Sequence, residues 1–251
     1  ENYFKGNENK YSIYCHPKNP ENVTIEWMKC NIIKNLVPTG WGYIVVAYHN
    51  LLNAAIVDVN NYKFITISES CLPLVPFNVF YNELFRDDEK MSYIKFMPIK
   101  PYDLEARIKV NAGYQKYNFI KHYARFCLSM YHVLKLLKNL DDFNFFEKMH
   151  IGDEFFLTML NNVNNILHDN YVKNMAITYD NWDYVEKKRK KFNKQIQKLY
   201  EKIEKQSPEQ EKIIKEKINN LKLIRDDFSR NPKSYLILTK TDIDEAKIIA
   251  S

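Results

Sequence analysis

Hydrophobic and polar positions change period several times along this chain. Residues 11–16, YSIYCH, form a short apolar run that reads as a strand, and the PKNPEN after it is a turn rich in Pro and Asn. In WGYIVVAYHNLLNAAIV, residues 41–57, Val45, Tyr48, Leu52 and Ala55 recur at three- and four-residue steps, which predicts a helix. Residues 64–67 are continuously apolar, as in a strand buried on both faces. Strand, helix and strand make a βαβ unit with a right-handed crossover. The run then ends on Ser68-Glu69-Ser70-Cys71, crosses Pro73 and Pro76, and turns helical over residues 77–85.

MSYIKFM is a further strand, followed by a connection rich in Lys, Pro and Tyr through Tyr117. ARFCLSMYHVLKLLKN reads as a strand at 125–128 running into a helix whose face is Tyr131, Leu134 and Leu137. GDEFFLTMLNNV predicts another helix, with Gly152 or Asp153 at its cap. AITY is a strand ending at Asp180-Asn181-Trp182. Residues 183–230 are charged on most faces, with a narrow seam of Phe192, Ile196, Leu199 and Ile203; Ser207-Pro208 breaks the helix and starts a second one, giving a projecting hairpin. SYLIL returns as a strand, and TDIDEAKII closes as a helix capped by Thr241 or Asp242.

Together these elements predict an α/β fold. With 251 residues, 45% of them hydrophobic, one domain over residues 1–251 is the simplest organisation, with the helical hairpin 183–230 inserted in it. A net charge of +6 suits a phosphate-bearing ligand, nucleic acid or an anionic surface. In the hairpin, however, Lys and Glu interleave at three- and four-residue steps, the pattern of a self-paired solvated surface, so no nucleic-acid partner is expected. Cys15, Cys30, Cys71 and Cys127 include no CxxC, which argues against a zinc or thioredoxin-like site and favours reduced thiols in a reducing, cytoplasmic compartment. There is no signal peptide and no apolar run of about 18 residues. The opening ENYFKGNENK reaches a strand with no βα unit before it, which reads as a truncated sheet, and a membrane is expected only if a missing N-terminus supplies an anchor.

Six segments carry a resemblance. VPTGWGYIVVAYHNLLNAAI, YKFITISESCLPLVPFNVFYNEL, KHYARFCLSMYHVLKLL, GDEFFLTML, ITYDNW and YLILTK resemble, in that order, the landmark blocks of the core-2/I-branching β-1,6-N-acetylglucosaminyltransferase family. Peptide-O-xylosyltransferases and many plant and viral members belong to the same family, and a viral or protist source is expected for this chain. The match runs over about residues 11–182 and resumes at 234–247, and it is the order of the blocks that carries it. The resemblance implies a GT-A-like fold with a mixed, mostly parallel sheet flanked by helices. It implies inverting transfer of a GlcNAc- or xylose-type sugar from a UDP-sugar to a hydroxyl of a glycan or protein acceptor. The family lacks the metal-binding Asp-x-Asp of most such folds, so neither a divalent metal nor another cofactor is expected.

Inverting transfer needs one base to take the acceptor's proton. Glu154 matches the family's base; the alternative is an ordinary acidic residue at a helix N-terminus. The departing nucleoside diphosphate must be met by cations. Lys240 matches the family lysine after the last strand, or is a solvated strand end. The family's second basic residue has no placed counterpart; Arg225 and Arg230 are candidates without a motif. Ser68 and Glu69 fall on the expected donor-site loop, or on a capped turn; Trp41 is core or donor-pocket wall, and Arg125 joins the donor side. Trp182 and Asp180 fall on the acceptor side, where an aromatic face suits the apolar side of a pyranose, although Trp182 reads almost equally well as core. Two departures stand out: IYCHPK replaces the family's IHVD segment, and the strand expected before Tyr11 is missing or short. Asp242-Ile-Asp244 spells Asp-x-Asp but follows the last strand and reads as helix capping. A catalytically inactive relative that binds glycans or a protein is the competing class.

Overall fold

The computed structural model describes residues 2–68, 71–180, 182–203, 208–230 and 234–236. Along the chain, α1 (Glu26–Lys29) and α2 (Val45–Ala55) precede β1 (Lys63–Ile65), β2 (Leu72–Pro73), α3 (Phe77–Leu84), β3 (Ser92–Tyr93) and β4 (Phe96–Met97). The short α4 (Pro101–Asp103) runs into a π-helical turn (Leu104–Ile108), and β5 (Lys121–His122), β6 (Cys127–Ser129), α5 (Met130–Leu136) and α6 (Leu140–Lys148) follow. A one-turn 3-10 helix (Gly152–Glu154) leads to α7 (Thr158–Asn164), β7 (Val172–Lys173), β8 (Thr178–Asp180), the long α8 (Trp182–Ile203) and α9 (Pro208–Arg230), and β9 (Ser234–Leu236).

The chain divides into two units, residues 1–67 with 76–177, and residues 68–75 with 178–251. The first holds a four-stranded sheet in the order β1-β6-β3-β7. β6 is central because Phe126, Cys127 and Leu128 are all fully buried, which requires cover on both faces. β1 and β3 pair with it antiparallel, Phe64 opposite Leu128 and Tyr93 opposite Cys127, and only β3 and β7 run parallel. The architecture is the mixed α/β arrangement expected, with helices against the sheet, but the expected balance of directions is corrected: among the described residues most pairings are antiparallel. The predicted strand at residues 11–16 makes a single parallel bridge, Cys15 to Ile32, and MSYIKFM splits into β3 and β4.

α2 buries Val45, Ala47, Tyr48, Leu52 and Ala55, the face its periodicity predicts. α5 does not: His132, Val133 and Leu136 are buried and Leu134 is 51% exposed. The cause lies at the strand end. The Ser129 backbone N–H donates to Ser92 Oγ at 2.8 Å, and His132 Nδ1 lies 2.7 Å from the same oxygen, with Nε2 3.2 Å from Asp169 Oδ2. This polar contact fixes which way the first turn faces, and one residue of rotation, about 100°, moves the apolar stripe.

In the second unit β9 pairs parallel with β2 and antiparallel with β8. The predicted hairpin is formed by α8 and α9. Ile196 and Ile218 are buried, Phe192, Leu199 and Ile203 are half-buried, and Arg225 donates to Asn193 Oδ1 across the seam at 2.9 Å. No described helix is long and apolar enough to cross a membrane. The described cysteines are all free thiols, Cys127 buried and Cys30 exposed.

Candidate functional site

The GDEFFL segment is placed by its apolar half. Phe155, Phe156 and Leu157 are fully buried, with Phe156 among Tyr48, Phe126, His122 and Phe143 at ring separations of 5.4 to 6.1 Å. Glu154 is the last residue before this run and stays 30% exposed. The backbone before it is tightly constrained. A Cβ on Gly152 would lie 1.8 Å from the Phe146 carbonyl oxygen, so only glycine fits there. Ile151 has φ 59° and ψ 41°, the left-handed region, which is rare for a β-branched side chain and costs on the order of 1–3 kcal/mol.

That strained residue is gripped by a second segment. Gly40 and Tyr43 exchange backbone hydrogen bonds of 3.1 and 3.0 Å, so Trp41 and Gly42 occupy the corners of a tight turn, Gly42 with φ +78°. A Cβ on Gly42 would lie 3.1 Å from the Ile151 backbone, and the two segments are packed against each other at that point. The turn thereby holds Trp41, 61% exposed, and Tyr43, 40% exposed, beside the exposed His150. The ring separations from His150 are 5.9 Å to Trp41 and 6.1 Å to Tyr43, and the Tyr43 hydroxyl is 3.4 Å from His150 Nδ1. From the same region Glu147 Oε2 accepts the Val46 N–H at 3.0 Å, capping α2, which has no side-chain cap of its own.

Charge is organised around Glu154 by Lys121. Its Nζ lies 3.3 Å from Glu154 Oε2, 2.9 Å from Asp103 Oδ2, and over the Phe155 ring at 5.6 Å. Asp103 is buried and also takes Arg107 at 2.6 Å across one turn of the π-helical segment. Burial raises the Asp103 pKa, but the hydrogen bonds from Lys121 and the Lys100 N–H and the two cations outweigh it, and the carboxyl ends below its ordinary range. Asp153 is the opposite case. Burial, first, and the Glu154 charge push its carboxyl up to about 6 against the attraction of Arg125, and its Oδ1 has no hydrogen-bond partner. Adjacent carboxylates in sequence thus occupy different environments. His122 is fully buried, and desolvation pushes its imidazole down to about 4; it binds the Tyr123 carbonyl and lies 3.4 Å from the Leu157 N–H.

A groove of about 800 Å³ in the same unit is lined by Tyr11, Tyr14, Trp27, Asn31, Asn50 and Asn53, among others. It includes part of the IYCHPK segment and the C-terminal half of α2. Among the described residues, no three His, Cys, Asp or Glu side chains group as a metal site would need.

Of the residues expected at the site, Glu154, Arg125 and Trp41 all lie in the first unit; the Arg125 charge acts on Asp153, and the turn that carries Trp41 packs on Ile151. Trp41 is not core. Glu154 closes a 3-10 turn instead of opening an α-helix, α7 starting only at Thr158, so no helix N-terminus stands behind it; its charged neighbour is Lys121. Asp153 does not cap with its side chain either. Ser68 belongs to the second unit, where its N–H and Oγ lie 3.4 and 3.5 Å from Cys71 Sγ. Asp180 ends β8 and Trp182 begins α8. Glu69, Lys240 and the Asp242-Ile-Asp244 stretch lie outside the described residues. Lys121, Asp103, Arg107, Tyr43 and His150 were missed by sequence reasoning. The Asp103–Arg107 spacing of four and the two glycines flanking Trp41 were the available signals.

No curated protein matches the chain, and no solved structure does. The family model described as Core-2/I-Branching enzyme matches residues 1–210, well over half of the 251. The chain belongs to the Core-2/I-Branching enzyme family, and that membership implies a glycosyltransferase.

Proposed function

We propose that this glycosyltransferase moves a GlcNAc- or xylose-type sugar from a UDP-sugar to a hydroxyl of a glycan or glycoprotein, with inversion and without a divalent cation, and that Glu154 is the base. The observation that carries this reading is the contrast between neighbouring carboxylates. Glu154 stays within reach of solvent on a backbone held by Gly152 and Ile151 and beside a cation, whereas Asp153 is buried. A base has to meet its substrate in a fixed geometry, and only Glu154 offers both.

For the donor, the groove beside α2 supplies rings for a base to stack on and amides to read its edge. At 1.5 Å per residue, Asn53 stands about 12 Å along α2 from Val45, whose turn adjoins Glu147, a span that an extended nucleotide sugar bridges. Arg125 is the cation of this unit proposed for the leaving diphosphate; the donor-side roles of Ser68, Glu69 and Lys240 and the acceptor-side roles of Asp180 and Trp182 are carried over from the family resemblance alone.

The test is Glu154→Gln in the whole chain. Transfer should fall by about 100-fold or more, while stabilisation of the melting transition by UDP-sugars stays as in the wild type. Normal turnover by the variant would sink the assignment. If the wild type binds glycans but no UDP-sugar, the competing reading of a glycan-binding relative that has lost transfer replaces it.

A further inference from the structure

We propose that Trp41, Tyr43 and His150 form a stacking platform for a pyranose ring of the acceptor glycan, a subsite adjoining Glu154; this rests on the transferase reading. Three rings stand in solvent on segments that are otherwise tightly built. Trp41 is 61% exposed at the corner of the 40–43 turn, and Tyr43 is 40% exposed. The turn needs a positive φ at Gly42, and it seats against Ile151, itself left-handed. Two unusual backbone positions thus meet to hold exposed aromatic side chains in one place. The Gly42–Ile151 contact is buried, but the exposed rings it carries gain nothing for the core, and strain of this kind concentrates at ligand sites.

The chemistry of the trio selects a sugar. A pyranose has one apolar C–H face and a rim of hydroxyls. The indole and phenol rings match the face, while the Tyr43 hydroxyl and the His150 nitrogens, 3.4 Å apart at their closest, can bond the rim. None of the three carries a fixed positive charge, so a diphosphate has no partner here. The rings stand open, which suits an acceptor chain lying across the surface better than a nucleotide sugar gripped in a cleft. His150 lies four residues before Glu154, so the platform stands on the same constrained stretch that carries the base. This moves Trp41 from the donor wall, where the family resemblance put it, to the acceptor.

The experiment compares the full chain with Trp41→Ala, Trp41→Phe and His150→Ala, reading the KM for acceptor and for UDP-sugar separately. Binding of free lactose and chitobiose is followed by saturation-transfer NMR. Trp41→Ala should raise the acceptor KM, or the disaccharide Kd, about tenfold with the donor KM unmoved, and Trp41→Phe should recover most of the loss. An unchanged acceptor KM, or a rise in the donor KM instead, overturns the platform. Should Trp41→Ala melt early, His150→Ala, whose side chain stands in solvent, carries the same comparison. A wild type that binds the disaccharides through Trp41 but binds no UDP-sugar leaves the platform standing and removes the transferase reading. A working transferase indifferent to all three substitutions does the reverse.

Discussion

At the scale of single residues, the neighbouring carboxylates Asp153 and Glu154 lead to two expectations. Asp153 binds its proton more tightly in the fold than in the unfolded chain, because burial opposes its charge. Ionising it therefore works against the fold as pH rises from its ordinary 3.8 through about 6, at an upper bound of about 3 kcal/mol above that window and nothing below it. Asp153→Asn should accordingly be more stable than the wild type to urea at pH 8, by 1–3 kcal/mol on this order-of-magnitude basis, and the gap should close towards pH 4. An equal gap at both pH values would show that the carboxyl is not the cause. Lys121 acts on Glu154 by position. Lys121→Met leaves Glu154 without the cation that orients it and Asp103 Oδ2 with only the Lys100 N–H, so transfer should drop about tenfold or more, and Lys121→Arg should restore part of it. A full-rate Lys121→Met enzyme would remove Lys121 from the site.

Among the elements, the helical hairpin and α5 show how far periodicity reaches. The seam of Phe192, Ile196, Leu199 and Ile203 was legible because α8 and α9 pack chiefly on each other, so burial follows the 3.6-residue stripe. Ile218, 2% exposed, is the matching residue on α9, and Ile218→Ala should cost about 2–4 kcal/mol, read as earlier loss of helical circular dichroism on heating. A variant that melts with the wild type would mean that the seam does not hold the hairpin. α5 was misread because its direction is set by Ser92, Ser129, His132 and Asp169, which come from three other parts of the chain as well as its own first turn. Glu154 was misplaced onto an α-helix for a related reason. The apolar FFL run belongs to the core, and Gly152 is crowded by Phe146, so the backbone turns as a 3-10 helix before α7 begins.

For the molecule as a whole, family membership makes the chain a glycosyltransferase, and proposed metal independence has a direct test. Transfer in excess EDTA should match that in buffer alone; a loss restored by added Mn²⁺ would put a metal into the reaction and overturn that part of the proposal. Without showing α6 or the short strands β2, β5 and β7, the sequence alone determined α2 and its buried face, the helix over 77–85, the paired helices of the hairpin, and, through the order of its blocks, the family. Those features depend on neighbouring residues, and neighbours are what a sequence displays. Only the tertiary structure decided which of the adjacent carboxylates is buried, that Lys121 joins Asp103 to Glu154, that most strand pairings among the described residues are antiparallel, and that Trp41 stands in solvent beside His150. The physical reason is that burial and electrostatic environment are sums over groups brought from distant segments, and local periodicity carries no information about which segments those will be.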